Sequence, residues 1–366
     1  MNRSCWAAVC LAVVSWAVPV CAAAPIAGAA KAGARPLRSP WDLHPVALTA
    51  ARYECPQVDA LPRDVVAFDY YSDSKHSIID PTRYAAYQAA SRQYGGVEDA
   101  AERAADHYQQ TGSSEAAACA ARILLTQAQA GAMTGSMSSN QAYYVQNWAI
   151  GALAVAWLKV RPAGARALGI SPEQVNAIGA WLKTVGGQVE DYFENQHEKG
   201  TGSGRNNHFY WAGFAVMAAG IAAGDRADYE WGVGTYEFGV DQIAPDGTLP
   251  LEMARGQRAL HYHLFALAPL VTMAELASAN GDDLYAYDHW RLKRLVNRTV
   301  AGLDDNRYFV EKSGVAQDTP KNGEVTGSDI SWITPYARRF PDAAISALLK
   351  RTAIKPDRYL GGMPPP

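Results

Sequence analysis

The chain has 366 residues, 49% of them hydrophobic, with 33 lysines and arginines against 36 acids for a formal charge of −3. That apolar fraction excludes a disordered or collagen-like chain, and the length suffices for a large buried core. The slightly acidic balance excludes a nucleic-acid surface built on bulk charge, so an anionic ligand would need a local basic patch.

In chain order, the first predicted element is a secretory signal over residues 1–23. Arg3 supplies a cation, Trp6 to Val20 an apolar run too short to span a bilayer, and Cys21-Ala22-Ala23-Ala24 a small-residue cleavage region. Val20 stands where a lipid-anchor signal wants a small residue before Cys21. Later segments lack the roughly 18 unbroken apolar residues of a membrane span. The expectation is an exported protein without membrane insertion, periplasmic or secreted.

Of five cysteines, Cys5, Cys10 and Cys21 leave with the signal, and Cys55 and Cys119 remain in an oxidising compartment. A disulfide between them is expected. Residues 24–40 are Ala/Gly/Pro-rich and read as a flexible segment, and the Met-Pro-Pro-Pro tail also reads as loose. No linker interrupts residues 41–366, which read as one domain.

Helical patterns fill that domain. Trp148 to Val160 is apolar almost all round, as a buried helix would be. Ser171-Pro172-Glu173-Gln174 is a capping signature that opens a helix to about Asn195. Helices are predicted over Asn207–Ala223, Ala227–Ile243, Gln257–Asn280 and Asp283–Leu303. Many helices of similar length on short joints, with few strand-like runs, predict an all-α fold of antiparallel helix pairs closing into an (α/α) toroid.

Within it, GRNNHFYWAG from Gly204 to Gly213 sets polar donors beside aromatic surface. Asn206 or Asn207 would cap the helix, placing His208 in the first turn, where the positive end of the helix dipole opposes protonation. Asn207, His208 and Trp211 would share a face. The plainer alternative is a capped helix whose histidine and tryptophan pack into the core.

In RGQRALHYH, from Arg255 to His263, a helix brings Arg255 and Arg258 toward Tyr262, seven and four residues on. Two nearby guanidinium groups would favour the phenolate and lower the tyrosine pKa. An exposed Arg/Tyr face paired with Glu252 is the alternative. His261 and His263, two apart, point to nearly opposite sides of a helix, which argues against a metal site.

FDYYSDSKHSIIDPTRY, from Phe68 to Tyr84, has the turn-forming character of a mobile loop able to cover a groove, or of an ordinary surface loop. In WITPYARRF, from Trp332 to Phe340, Arg338 and Arg339 sit beside aromatics.

The paired segments NNHFYWAG and RGQRALHYH, with their spacing, resemble the alginate lyases of polysaccharide lyase family 5. The resemblance covers most of the mature chain and implies an incomplete (α/α) toroid and an active site of Asn207, His208, Arg255 and Tyr262. The family's lid loop has a lysine before a tyrosine. Here Tyr71 keeps its place and Tyr70 stands where the lysine would be, with Lys75 a few residues on. That departure bears on substrate preference more than on the reaction. The substrate-binding set is expected to include Tyr70, Tyr71, Tyr210, Trp211, Arg258, His261 and Arg338, with no metal or cofactor and a monomeric chain acting on an anionic polysaccharide.

The implied reaction is β-elimination from a uronate polymer. The C5 proton lies α to a carboxylate, which must be neutralised by preorganised donors before it can take more negative charge. Asn207, Arg255 and His208 would supply them. Tyr262 would take the C5 proton and return one to the C4 oxygen, with His208 as the other candidate base. Mannuronate and glucuronate present proton and leaving oxygen on the same side, as a single shuttle requires; guluronate presents them on opposite sides. Two other classes stay open: a glycoside hydrolase using two acids, for which Asp246 and Glu252 are nearest, and a non-catalytic polysaccharide-binding or export protein.

Overall fold

The computed structural model describes residues 35–320 and 324–366; the expected signal segment and residues 24–34 of the expected flexible segment lie outside them. The long helices are α1 (Pro81–Thr111), α2 (Ser114–Ala130), α3 (Asn140–Val160), α4 (Pro172–Glu198), α5 (Asn207–Ala223), α6 (Arg226–Asp241), α7 (Ala259–Ser278) and α8 (Tyr287–Asp304). Among the described residues there are only isolated β-bridges and no sheet. Neighbouring helices pack as pairs into an (α/α) toroid, with α5 against α3, α4, α6 and α7.

Local chemistry sets many of the boundaries. Ser171 and Gln174 form a capping box at the start of α4, with Pro172 at its first position. Asp80 caps α1 and accepts from the Arg83 N–H, so the run from Phe68 to Tyr84 is loop only as far as Asp80. Asn206, rather than Asn207, caps α5 by accepting from the His208 N–H. Helix α5 is apolar on every face because it lies inside the ring of helices, and nearly all of its side chains are buried. Gly213 lets α6 come close, since a Cβ there would stand 2.5 Å from the Thr235 methyl.

The segment predicted as Asp283–Leu303 is less regular. A short 3₁₀ turn, Leu284–Ala286, is followed by Asp288, His289 and Trp290 at φ 41°, 55° and 56°, and right-handed helix runs only after them. Helix α7, with the turn before it, is long and apolar enough by composition to cross a membrane, yet its most apolar stretch is 83% buried within the fold.

Both described ends are docked. Ser39 caps the short helix Pro40–Leu43, and Trp41 is buried, so packed structure begins before residue 41. Cys55 is disulfide-bonded to Cys119, with Cα atoms 5.5 Å apart, tying the extended N-terminal segment to α2. The tail predicted to be loose is also packed. Lys159, 1% exposed, bonds Asp106 at 2.5 Å and the Gly361 carbonyl at 2.6 Å. The Met363 N–H donates to Asp106. A buried lysine requires such partners, and a carboxylate on α1 and the tail backbone provide them.

Candidate active site

A pocket of about 840 Å³ opens where the N-terminal turns of α5 and α7 meet the loop before α1 and the C-terminal segment. Arg255, in the turn before α7, and Tyr262, in its first full turn, are 8% and 6% exposed. The Arg255 guanidinium carbon lies 3.5 Å from the Tyr262 ring centre and that of Arg258 5.2 Å. Both cations predicted to approach the phenol therefore do so.

Their electrostatic outcome differs from the sequence expectation. Burial raises the Tyr262 pKa above its ordinary value, and the charges of Arg255 and Arg258 only partly offset it. The free protein holds a neutral phenol, because desolvation of a buried phenolate outweighs the two guanidinium charges.

The loop before α1 closes onto these residues. The Tyr71 hydroxyl lies 2.5 Å from that of Tyr262 and accepts from Arg258 at 2.7 Å. Arg255 donates to the His76 carbonyl at 2.8 Å, and Gln257 to the Ser77 carbonyl at 2.9 Å. Asp73 shapes the loop: burial raises its pKa, but the N–H groups of Ile78 and Ser77 outweigh this and hold it down to about 2. Tyr70 packs among Tyr71, Tyr84 and Tyr87. Lys75 is exposed and off the pocket wall, whereas His76, which the sequence reading left without a role, is on it.

His208 stacks on Tyr144 with ring centres 3.9 Å apart. Burial, reinforced by the charge of Arg255, lowers its pKa to about 3, so the imidazole is neutral. The predicted neutrality holds for a different reason from the helix dipole. Asn207 is fully buried and does not line the pocket; its side-chain amide donates to both Glu252 oxygens at 2.9 Å and its backbone N–H to one at 2.7 Å. Its Oδ1 has no partner. Glu252, also fully buried, is therefore no partner for an exposed Arg/Tyr face. Burial raises its pKa, while the Arg255 charge and the Asn207 bonds pull it back.

Three predicted binding residues stand elsewhere. Trp211 and Tyr210 are each 1% exposed and off the wall. Trp211 packs on Phe214 and Phe265, and Tyr210 against Gly239, so neither ring offers a face to a ligand. Arg338 donates to the Pro365 carbonyl instead of facing the pocket. His261 does line the pocket, and burial followed by the charges of Arg258 and Arg255 lowers its pKa to about 3. His263 turns inward, where one ring nitrogen faces the Ala259 carbonyl and the other accepts from the Leu249 N–H. Among the described residues no three His, Cys, Asp or Glu side chains are grouped to hold a metal. Trp148, Phe265, Arg358 and Tyr359 supply wall that the sequence reading missed. Their signal was weak because they come from three separate parts of the chain.

A family model described as alginate lyase matches residues 64–309. This chain belongs to the alginate lyase family. A polysaccharide lyase of Stenotrophomonas maltophilia is 36% identical over 303 residues, covering 82% of this chain and 86% of the relative. An alginate lyase of Pseudomonas aeruginosa is 30% identical over 265 residues, covering 72% and 71%. In fold, the chain is similar to alginate lyase A1-III from Sphingomonas species A1, with a TM-score of 0.70 at 22% identity, covering 89% of this chain and 95% of that one. The alginate lyase family member described here is thus a carbon–oxygen lyase of the polysaccharide type. Arg358 and Tyr359 lie outside the matched residues and complete the pocket from the C-terminal segment.

Proposed function

We propose that the chain is an exported lyase that cleaves uronate polymers by β-elimination, with mannuronate- or glucuronate-type units as substrate. The observation that carries this reading is the Tyr262 hydroxyl on the pocket wall, flanked by Arg255 and Arg258 and by the neutral His208.

Arg255 and His208 take up the charge that builds on the sugar carboxylate as the C5–H bond breaks. Asn207 sets the orientation of this turn through Glu252 and turns its free Oδ1 away from that bond. The reactive form is the minor fraction in which the Tyr262 phenol has released its proton to solvent, and that phenolate oxygen takes the C5 proton. The C5 electron pair forms the C4–C5 double bond, the C4–O bond breaks, and the leaving oxygen takes the proton from Tyr262. The shuttle needs both events on one side of the ring, which favours mannuronate and glucuronate over guluronate. Tyr71 holds the phenol in place and Arg258 holds Tyr71.

A hydrolase pairing of Asp246 with Glu252 finds no support. Glu252 is sealed against Asn207, and Asp246 is bonded to Tyr308, Lys312 and Thr248.

The test is ultraviolet absorbance over time on polymannuronate, polyguluronate, polyglucuronate and hyaluronan. The unsaturated ends made by elimination raise the signal, and polymannuronate or a glucuronate polymer should lead. A flat trace on all four with folded protein would sink the proposal.

A further inference from the structure

We infer that a second carbohydrate site, for a uronate segment of an anionic polysaccharide, lies on α8 and shares no lining residue with the catalytic pocket. It is an open depression of about 400 Å³ lined by His289, Trp290, Lys293, Arg294, Asn297 and Phe340.

Lys293, Arg294 and Asn297 lie on the first turns of regular helix in α8, and Trp290 joins them from the left-handed turn just before it, with Phe340 across the depression. Large apolar residues on a surface are usually scattered, but Trp290, 52% exposed, is gathered with these polar groups.

The backbone is held in an unfavourable form to present it. Asp288, His289 and Trp290 are all left-handed, at φ 41°, 55° and 56°. A bulky residue there is a steric outlier, and such strain concentrates at ligand sites. An ordinary helical start would give Trp290 a different direction.

Charge identifies the ligand class. The lining residues include two cations and no carboxylate. Among the described residues, Lys293 and Arg294 form no ion pair, whereas nearby Arg291 is paired with Asp288 and Arg339 with Asp283. Asp288 and Asp283 are thus already engaged, and the two cations remain open to a carboxylated ligand. The half-exposed indole suits the apolar face of a sugar ring, and the Asn297 amide suits its hydroxyls. Nucleic acid is a polyanion of similar charge, but the same chain carries a pocket proposed to take a uronate polymer, which favours a carboxylated sugar chain here.

This inference rests on the uronate reading of the substrate. It is tested by the equilibrium binding of long polymannuronate to full-length Tyr262→Phe protein, so that the polymer survives. The comparison proteins add either Trp290→Ala or the pair Lys293→Ala and Arg294→Ala, with dextran as the neutral control and single-stranded DNA as a second polyanion. Each added change should weaken polymannuronate binding about fivefold or more, and neither should matter for dextran. The paired variant, on exposed positions of regular helix, covers the case in which Trp290→Ala disturbs the turn. Unchanged affinity in both variants, absence of polymannuronate binding, or tighter binding of DNA through these residues would overturn the site. If the wild type eliminates none of the four polymers but these variants still weaken polymannuronate binding, the functional proposal falls and this site stands. The converse result removes only the site.

Discussion

The hydroxyls of Tyr71 and Tyr262, 191 residues apart in sequence, meet at 2.5 Å. One belongs to the loop before α1 and the other to α7, so the proposed proton shuttle is oriented by the loop that closes onto the pocket. Removing the Tyr262 hydroxyl should lower turnover by about 10²–10⁴-fold while polymer binding is largely kept. Tyr71→Phe should reduce kcat/KM by roughly tenfold, because it removes orientation and leaves the reacting oxygen. Steady-state ultraviolet kinetics beside equilibrium binding separate the two, and a Tyr262→Phe enzyme with near-normal turnover would take that residue out of the chemistry.

The alkaline side of the pH profile reports the base. The folded Tyr262 pKa is raised above its ordinary value by burial, so the phenolate fraction grows with pH throughout the neutral range. If Tyr262 is the base, kcat/KM should climb by up to about tenfold per unit from pH 7 to pH 9. A flat profile there would transfer the base to His208, which is neutral above about pH 4 given a pKa near 3.

His208 also makes a stability prediction. Its folded pKa, about 3, lies below the ordinary histidine value of about 6.5. Between those values the unfolded chain binds the extra proton, so this group makes stability fall as pH falls through the window. His208→Gln should therefore gain on the wild type by roughly 1–2 kcal/mol between pH 7 and pH 5. Urea denaturation at the two pH values gives the difference, and equal shifts at both would mean the ring is not buried in neutral form.

Glu252 and Asn207 form the buried pair beneath the pocket. Asn207→Ala leaves the Glu252 carboxylate with only the backbone N–H from that residue, which should lower stability by about 2–3 kcal/mol. Turnover should fall as well. Denaturant midpoints that match the wild type would show that the pair contributes little.

Reducing the Cys55–Cys119 bridge opens a loop with a sequence separation of 64 residues. Chain entropy assigns such a loop about 4 kcal/mol. The calorimetric midpoint should drop by about 5–10 °C in reductant. No shift would place the bridge in a region that stays ordered without it.

The helices were legible in sequence where the cause is local. Ser171 and Gln174 cap α4 from three residues apart, and the almost wholly apolar run from Trp148 to Val160 in α3 marks a buried helix whatever surrounds it. The pairing of two short motifs likewise pointed to Arg255, His208 and Tyr262 before any fold was known. Three local signals misled. Asp288 to Trp290 sit in a helical pattern yet turn left-handed, and the proline-ended tail is fixed by Lys159 and Asp106 from distant helices. Trp211 shares a helix with His208, but it faces Phe265 instead of a ligand because α7 packs on that side.

By itself, then, the sequence determined most of the helices, their all-α class and the two motifs that hold Arg255, His208 and Tyr262, because caps, periodicity and short motifs act within a few residues. Only the tertiary structure decided which of those residues reach the pocket and what charge they carry. Burial and distance depend on parts of the chain far apart in sequence. The arginine spacing favoured an ionised Tyr262, while the surrounding helices and the Tyr71 loop remove the water that ionisation needs.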